Sequence, residues 1–333
     1  MTIPRSEQVD LESTKYYHCM NRCVRGSYLC GENTEGTTDY NQRKNWIVSR
    51  IKYLSEIFAI KICAYGVMNN HYHLVLYVDD QQVKNWTDSE VHQQWGKLYP
   101  KDAKQFALGS QEISKKINIW RERLCSISWY MRNLNELIAK LANKEDGCKG
   151  HFWEGRFKSQ ALLDEGAILS AMAYVDLNPI RAGIANTPEF SDFTSIQERL
   201  RHMTQKIKQE FKIKNQVKPQ IDKLPQPKSL LPLFVGKSCD SPTINFNLSD
   251  YIELIEETGR VIREDKVGAI PENMSHIFER LGLLAIGWMS MVKSLQEKFS
   301  YLVGGASLIS QFRKNNLTSS PKGLALARIS YQA

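Results

Sequence analysis

The chain has 333 residues, a net charge of +8, 42% hydrophobic and 24% charged residues, and seven cysteines. That apolar share supports a packed core and excludes global disorder, and the length suggests about two units of ~150 residues. No apolar run reaches the ~20 residues a bilayer needs, the stretch MTIPRSEQVDLEST has no apolar signal core, and an odd cysteine count without framework spacing points to a reduced, cytoplasmic protein with no membrane partner.

In chain order, residues 16–21, YYHCMN, form a β-prone run, and the Gly-, Asn- and Thr-rich stretch 31–38 reads as a loop. Between 42 and 58 the apolar positions Trp46, Ile47, Ile51, Leu54, Ile57 and Phe58 recur at helical spacing. Residues 60–68 and 72–78 read as two strands joined by an Asn69-Asn70 turn. Residues 79–124 are polar, rich in Lys and Gln, and read as a partly helical insertion. A helix is expected over 128–143, an extended segment over 152–163, and a helix capped by Asp164 that ends near Asn178, where Pro179 restricts the backbone. The order β-α-β-β-α-β-α is that of an α+β, ferredoxin-like split βαβ sheet with an added helix, over residues 1–200.

The charge is segmental. Residues 1–200 carry 25 Lys+Arg against 24 Asp+Glu, residues 201–238 carry 9 against 2, and residues 239–333 carry 10 against 10. With four prolines, 201–238 reads as a basic linker, within which the apolar stretch 230–235 is able to dock. Residues 239–333 read as a small helical domain of unknown role. A double-stranded-DNA reader with a Gly304-Gly305 turn and a plain packing module are both open.

Three features carry chemistry. His71 and His73 are at i and i+2 of a strand, so both imidazoles project from one face and are able to grip a divalent cation, or to sit there as a surface pair. Tyr174 and Asn178 are at i and i+4 of a helix and share a face, although a helical tyrosine also serves as core. Residues 152–158, FWEGRFK, mix rings and cations, as suits single-stranded nucleic acid or a charge-protected edge strand. His18 with Cys19, Cys23 and Cys30 fits no zinc spacing well, and buried thiols are the better reading.

Together these motifs resemble the REP-associated tyrosine transposases, a branch of the single-tyrosine HUH transposases. The matching segments are 17–22 (YHCMNR), 64–74 (AYGVMNNHYHL), 152–158 (FWEGRFK) and 173–183 (AYVDLNPIRAG), and the likeness covers residues 15–197. It implies a ferredoxin-like HUH nuclease domain, with Tyr174 as catalytic nucleophile and His71, His73 and Asn178 as ligands of a Mg²⁺ or Mn²⁺ ion. It also implies single-stranded or hairpin DNA as partner, contacted by Arg22, Phe152, Trp153, Arg156, Lys158 and Arg181. The activity expected is a metal-dependent DNA endonuclease and strand transferase acting through a 5′-phosphotyrosine, in the cytoplasm at a bacterial nucleoid. A homodimer is compatible with the sequence, and a domesticated, non-cleaving hairpin-binding regulator is the alternative.

Overall fold

A computed structural model of the chain describes residues 4, 8–27, 29–31, 40–105, 111–213, 221–236, 242–263, 275–316 and 321–331. Most of the 31–38 loop and part of the 201–238 segment lie outside the described residues. The protein is an α+β molecule built on one five-stranded mixed sheet. Strand β1 (Tyr16–Arg22) is followed by helix α1 (Asn41–Ser55) and the hairpin of β2 (Ile60–Val67) and β3 (His71–Val78). The 79–124 insertion then supplies α2 (Asp80–Asn85), α3 (Asp88–Leu98), α4 (Pro100–Gln105) and α5 (Gln111–Leu124). Helix α6 (Ile127–Glu145), strand β4 (Lys158–Leu162), helix α7 (Glu165–Asp176) and the short α8 (Asn178–Arg181) complete the part that bears the motifs.

The sheet order is β2-β3-β1-β4-β5, antiparallel except for the last pair. Strand β3 therefore lies between β2 and β1, which places the His71–His73 strand in the middle of the sheet. The period-two alternation of a strand divides its residues between two faces. Tyr72 turns away from the two histidines, is fully buried, and donates to Asn135 Oδ1 of α6 at 2.6 Å. Helices α1 and α6 close that side, where the Tyr130 hydroxyl of α6 donates to the Ile51 carbonyl of α1 at 2.9 Å. The opposite face, carrying His18, Met20, His71 and His73, is covered by α7.

Helix α7 approaches β2 closely because Gly66 has no side chain. A Cβ at that position would stand 2.9 Å from the Val175 carbonyl oxygen, closer than backbone and methyl can approach. The helix begins where Asp164 accepts from the Ala167 amide at 2.7 Å, an N-cap that satisfies one orphan donor. The same carboxylate takes the Gly305 amide and the Tyr331 hydroxyl, so the last part of the chain is fastened to the start of α7.

Beyond α9 (Ser195–Ile213) the chain returns to the same body. The first third of the basic 201–238 segment is helical, as the end of α9. Leu230, Leu231 and Leu233 are buried, and the Leu231 amide donates to the Ile62 carbonyl of β2 at 2.7 Å. Helices α10 (Leu248–Arg263), α11 (Ser275–Leu281) and α12 (Ala285–Lys298) lead to β5 (Leu302–Val303), which pairs parallel to β4. Helices α13 (Ala306–Asn316) and α14 (Leu324–Ser330) follow. Residues 239–333 thus extend the sheet by one strand and lay α12 against α7. No helix among the described residues is long and apolar enough to cross a membrane.

Candidate functional site

The site is assembled on the α7 face of the sheet by cross-strand register. Met20 lies opposite His73 and Arg22 opposite His71, while His18 lies opposite both Val75 of β3 and Gln160 of β4. His18, His71, His73 and Gln160 therefore share one face. The turn that starts β3 is pinned from outside: the Cys23 and Cys30 amides donate to the Asn70 and Asn69 carbonyls, each at 2.8 Å.

Tyr174 descends onto the imidazoles from α7. Its ring centroid stands 5.4 Å from that of His73 and 5.8 Å from that of His18, in edge-on contacts. His71 and His73 are 4.9 Å apart and perpendicular. The guanidinium of Arg181 lies 3.9 Å over the Tyr174 ring, and its two terminal nitrogens donate to the Val292 carbonyl of α12 at 2.9 Å and to Asn178 Oδ1 at 2.8 Å. The Tyr174 hydroxyl donates to Gln296 Oε1 of α12 at 3.4 Å, and the Gln296 amide reaches the Met20 sulfur. With 7% exposure, Tyr174 lies beneath α12.

Donor and acceptor roles around His71 follow from groups that have no choice. The Gly26 carbonyl takes the Asn70 amide nitrogen at 3.0 Å, so Asn70 Oδ1 faces His71 Nδ1 at 2.5 Å and that nitrogen carries the hydrogen. Arg181 is a donor only, so Asn178 Oδ1 belongs to it, and the Asn178 amide nitrogen faces His71 Nε2 at 3.3 Å. His71 therefore presents a bare Nε2, and Asn178 offers that nitrogen an N–H. The Asn178 oxygen becomes a metal ligand only if the amide turns over.

Burial keeps the imidazoles neutral. It pushes His18 and His71 down to about 4 and His73 well below its usual value, with the Arg181 charge acting in the same sense on all three. Burial raises Tyr174 above its ordinary phenolic value, against the opposing pull of the Arg181 guanidinium. Among the described residues, no group of three or more His, Cys, Asp or Glu side chains is arranged to hold a metal ion. The unprotonated nitrogens at the site are those of the His71 and His73 imidazoles, and Asn178 turns its N–H toward His71.

The remaining sequence-derived residues fall in two places. Arg22 is exposed at the end of β1, next to His71 in register, and Arg156 and Lys158 are exposed beyond it. Phe152 and Trp153 are turned inward, at 3% and 9% exposure. Trp153 donates its indole N–H to the Asn135 carbonyl at 3.0 Å and meets the edge of Tyr72. The resemblance puts these rings on display for bases. They are instead packed as core, with Trp153 held by its one donor, and only their margins line a 690 Å³ cleft that also includes Asn21, Arg132 and Arg156. Arg181, expected at DNA, is held inside the site by Tyr174, Asn178 and Val292.

Three participants, Gln160, Gln296 and His18, escaped sequence reasoning. Gln296 belongs to a segment with no motif, and nothing in its neighbourhood advertises it. His18 had a visible signal, its place on the strand next to the His71–His73 strand, but its grouping with cysteines pointed elsewhere. Cys23 and Cys30 are buried with their sulfurs 3.7 Å apart.

No protein-family model matches the chain, and no curated protein matches it. A solved structure described as a REP-associated tyrosine transposase bound to a REP hairpin is similar over 56% of this chain and 78% of that one, with 15% identity and a TM-score of 0.32. The functional reading accordingly stands on the side chains.

Proposed function

We propose that the protein is a metal-dependent single-stranded DNA endonuclease and strand transferase that works through a 5′-phosphotyrosine on hairpin or repeat DNA. One observation carries the reading: Tyr174 of α7 and His73 of β3, far apart in sequence, meet at 5.4 Å between ring centroids, and His71 stands 4.9 Å from His73. A split βαβ, ferredoxin-like sheet would suit this reading: in the order β2-β3-β1-β4-β5 the strands β3 and β1, which bear the imidazoles, are neighbours inside the sheet under α7.

On this reading Tyr174 Oη gives up its proton and attacks the scissile phosphorus, the bond to the 3′ oxygen breaks, that oxygen takes up a proton and leaves as a 3′-hydroxyl, and the DNA 5′ end is held as a phosphotyrosyl ester. The reaction exchanges one phosphate ester for another, so rejoining needs no nucleotide cofactor. Arg181 favours the phenolate against burial and stands ready to face phosphate charge. His71 and His73 would hold a Mn²⁺ or Mg²⁺ ion, joined by Asn178 after its amide turns over. Such an ion would supply Lewis-acid polarisation of a phosphoryl oxygen, and imidazole nitrogen suits Mn²⁺ better than Mg²⁺. Gln296 of α12 covers the nucleophile through one long hydrogen bond, and DNA would reach the hydroxyl by displacing that side chain. Arg22, Arg156 and Lys158 supply an exposed cationic rim for the backbone.

The test is to incubate the full chain with end-labelled hairpin DNA and Mn²⁺ and to look for a protein–DNA adduct that survives denaturant. An adduct is expected. Tight hairpin binding with no adduct in any divalent metal would replace this reading by that of a non-cleaving hairpin-binding regulator.

A further inference from the structure

His18, Gln160 and the Phe299 carbonyl form a buried chain of hydrogen bonds that ends on His73. Gln160 Nε2 is 3.0 Å from the Phe299 carbonyl oxygen, Gln160 Oε1 is 2.8 Å from His18 Nδ1, and His18 Nε2 is 3.0 Å from His73 Nδ1. The two rings are 1% exposed and Gln160 is 6% exposed, so water does not compete for these bonds. The chain crosses the sheet, from the residue just after α12 through β4 and β1 to β3.

Its direction is fixed at one end. A carbonyl oxygen only accepts, so the Gln160 amide nitrogen must donate to Phe299, and this decides which way the amide points. The Gln160 oxygen then faces His18 Nδ1, which must carry the hydrogen. A neutral imidazole has one N–H, so His18 Nε2 is an acceptor and His73 Nδ1 must donate to it. His73 has one N–H as well, and its remaining nitrogen, Nε2, is bare.

We infer that His18 is a positioning residue that, together with Gln160, locks His73 in the Nδ1–H tautomer and so aims a bare Nε2 at the Tyr174 site. The Phe299 carbonyl is the anchor, and the polarity passes through two side chains before it reaches the ring that acts. His71 reaches the same state by a separate route through Asn70 and Gly26. Both rings thus carry their hydrogen on Nδ1 and leave Nε2 as the unprotonated nitrogen. Buried partners of this kind commonly alter metal affinity by about 10–100-fold when removed. The metal part of the inference rests on the proposed function, whereas the tautomer does not.

The experiment uses the full chain labelled with ¹⁵N-histidine. Long-range ¹H–¹⁵N spectra of the metal-free protein report the His73 tautomer, and Mn²⁺ titration followed by electron paramagnetic resonance reports affinity. The wild type is expected to show protonated Nδ1 and bare Nε2 at His73. His18→Phe keeps a ring in the core but offers no acceptor, so Nε2–H should become populated and Mn²⁺ affinity should fall about 10–100-fold. His18→Gln, whose oxygen can accept from His73 while its amide donates to Gln160, should restore the Nδ1–H tautomer, and it carries the test if the Phe variant does not fold. A wild-type His73 protonated at Nε2, or a His18→Phe protein with the wild-type tautomer and affinity, overturns the inference. Wild type with the expected tautomer but no Mn²⁺ binding overturns the metal reading and leaves the positioning role standing.

Discussion

Two polar clusters flank helix α7, and they differ in how completely they are satisfied. On one side Asp176 is fully buried and accepts from Ser195 Oγ at 2.5 Å, the Ile196 amide at 2.9 Å and the Tyr251 hydroxyl at 2.7 Å. Both oxygens of that carboxylate are engaged, by three donors in all, and it ties α7 to α9 and α10. On the other side, two residues earlier on the helix, Tyr174 makes one long hydrogen bond to Gln296, and the His73 ring uses only Nδ1 on its neighbour. A saturated cluster stabilises a fold. A cluster with bare nitrogens and a loosely held hydroxyl retains capacity for a ligand, so the two sides separate structure from chemistry even though both are buried and polar.

That contrast can be broken at several points. The largest effect should come from Tyr174→Phe, which removes one oxygen and leaves the ring packing in place. Adduct formation on hairpin DNA should be abolished, with the unfolding midpoint little changed, as read by denaturing gels and thermal melts. An adduct of wild-type yield would move the nucleophile elsewhere.

Asp176→Ala should do the reverse. It leaves two hydroxyls and an amide without their acceptor, and an orphaned buried donor costs about 1–3 kcal/mol. A stability loss of about 3 kcal/mol or more is expected in urea melts, while the adduct yield per folded molecule persists. A loss below about 1 kcal/mol would mean that the carboxylate is not the tie described. Tyr251→Phe is a milder cut at the same cluster and should cost about 1–2 kcal/mol, again with adduct yield retained.

The smallest effect is expected at the exposed rim. Replacing Arg156 and Lys158 together by Ala should weaken hairpin binding and make the log–log salt slope shallower by about 1.4, at ~0.7 for each single-strand phosphate that is no longer neutralised. An unchanged slope would take this rim off the DNA path.

Much of this arrangement was legible in the residues. The hairpin 60–78 announced itself by two β-prone runs around Asn69-Asn70, and the HxH spacing placed both imidazoles on one face because a strand alternates strictly. The Asp164 cap and the restriction at Pro179 bounded the helix that carries Tyr174. Illegible features arise from contacts across strands and from distant segments. The His18–His73 contact depends on β1–β3 register, which no local periodicity encodes. Strand β5 is two residues long, too short for a pattern, and is set by its pairing with β4. Phe152 and Trp153 had the composition of a base-stacking surface, but the depth of a ring depends on what lies behind it, here Tyr72 and Asn135. The basic excess of 201–238 lies outside the site, so net charge suggested nucleic acid without locating where it would bind.

The most direct measurement is to locate the covalent bond itself. The protein is allowed to react with hairpin DNA and Mn²⁺, the adduct is digested with protease and nuclease, and the peptide bearing the residual nucleotide is sequenced by mass spectrometry. The account predicts a phosphotyrosyl linkage on Tyr174 joined to a 5′ nucleotide. Attachment to another residue, or linkage through the 3′ end, would contradict it.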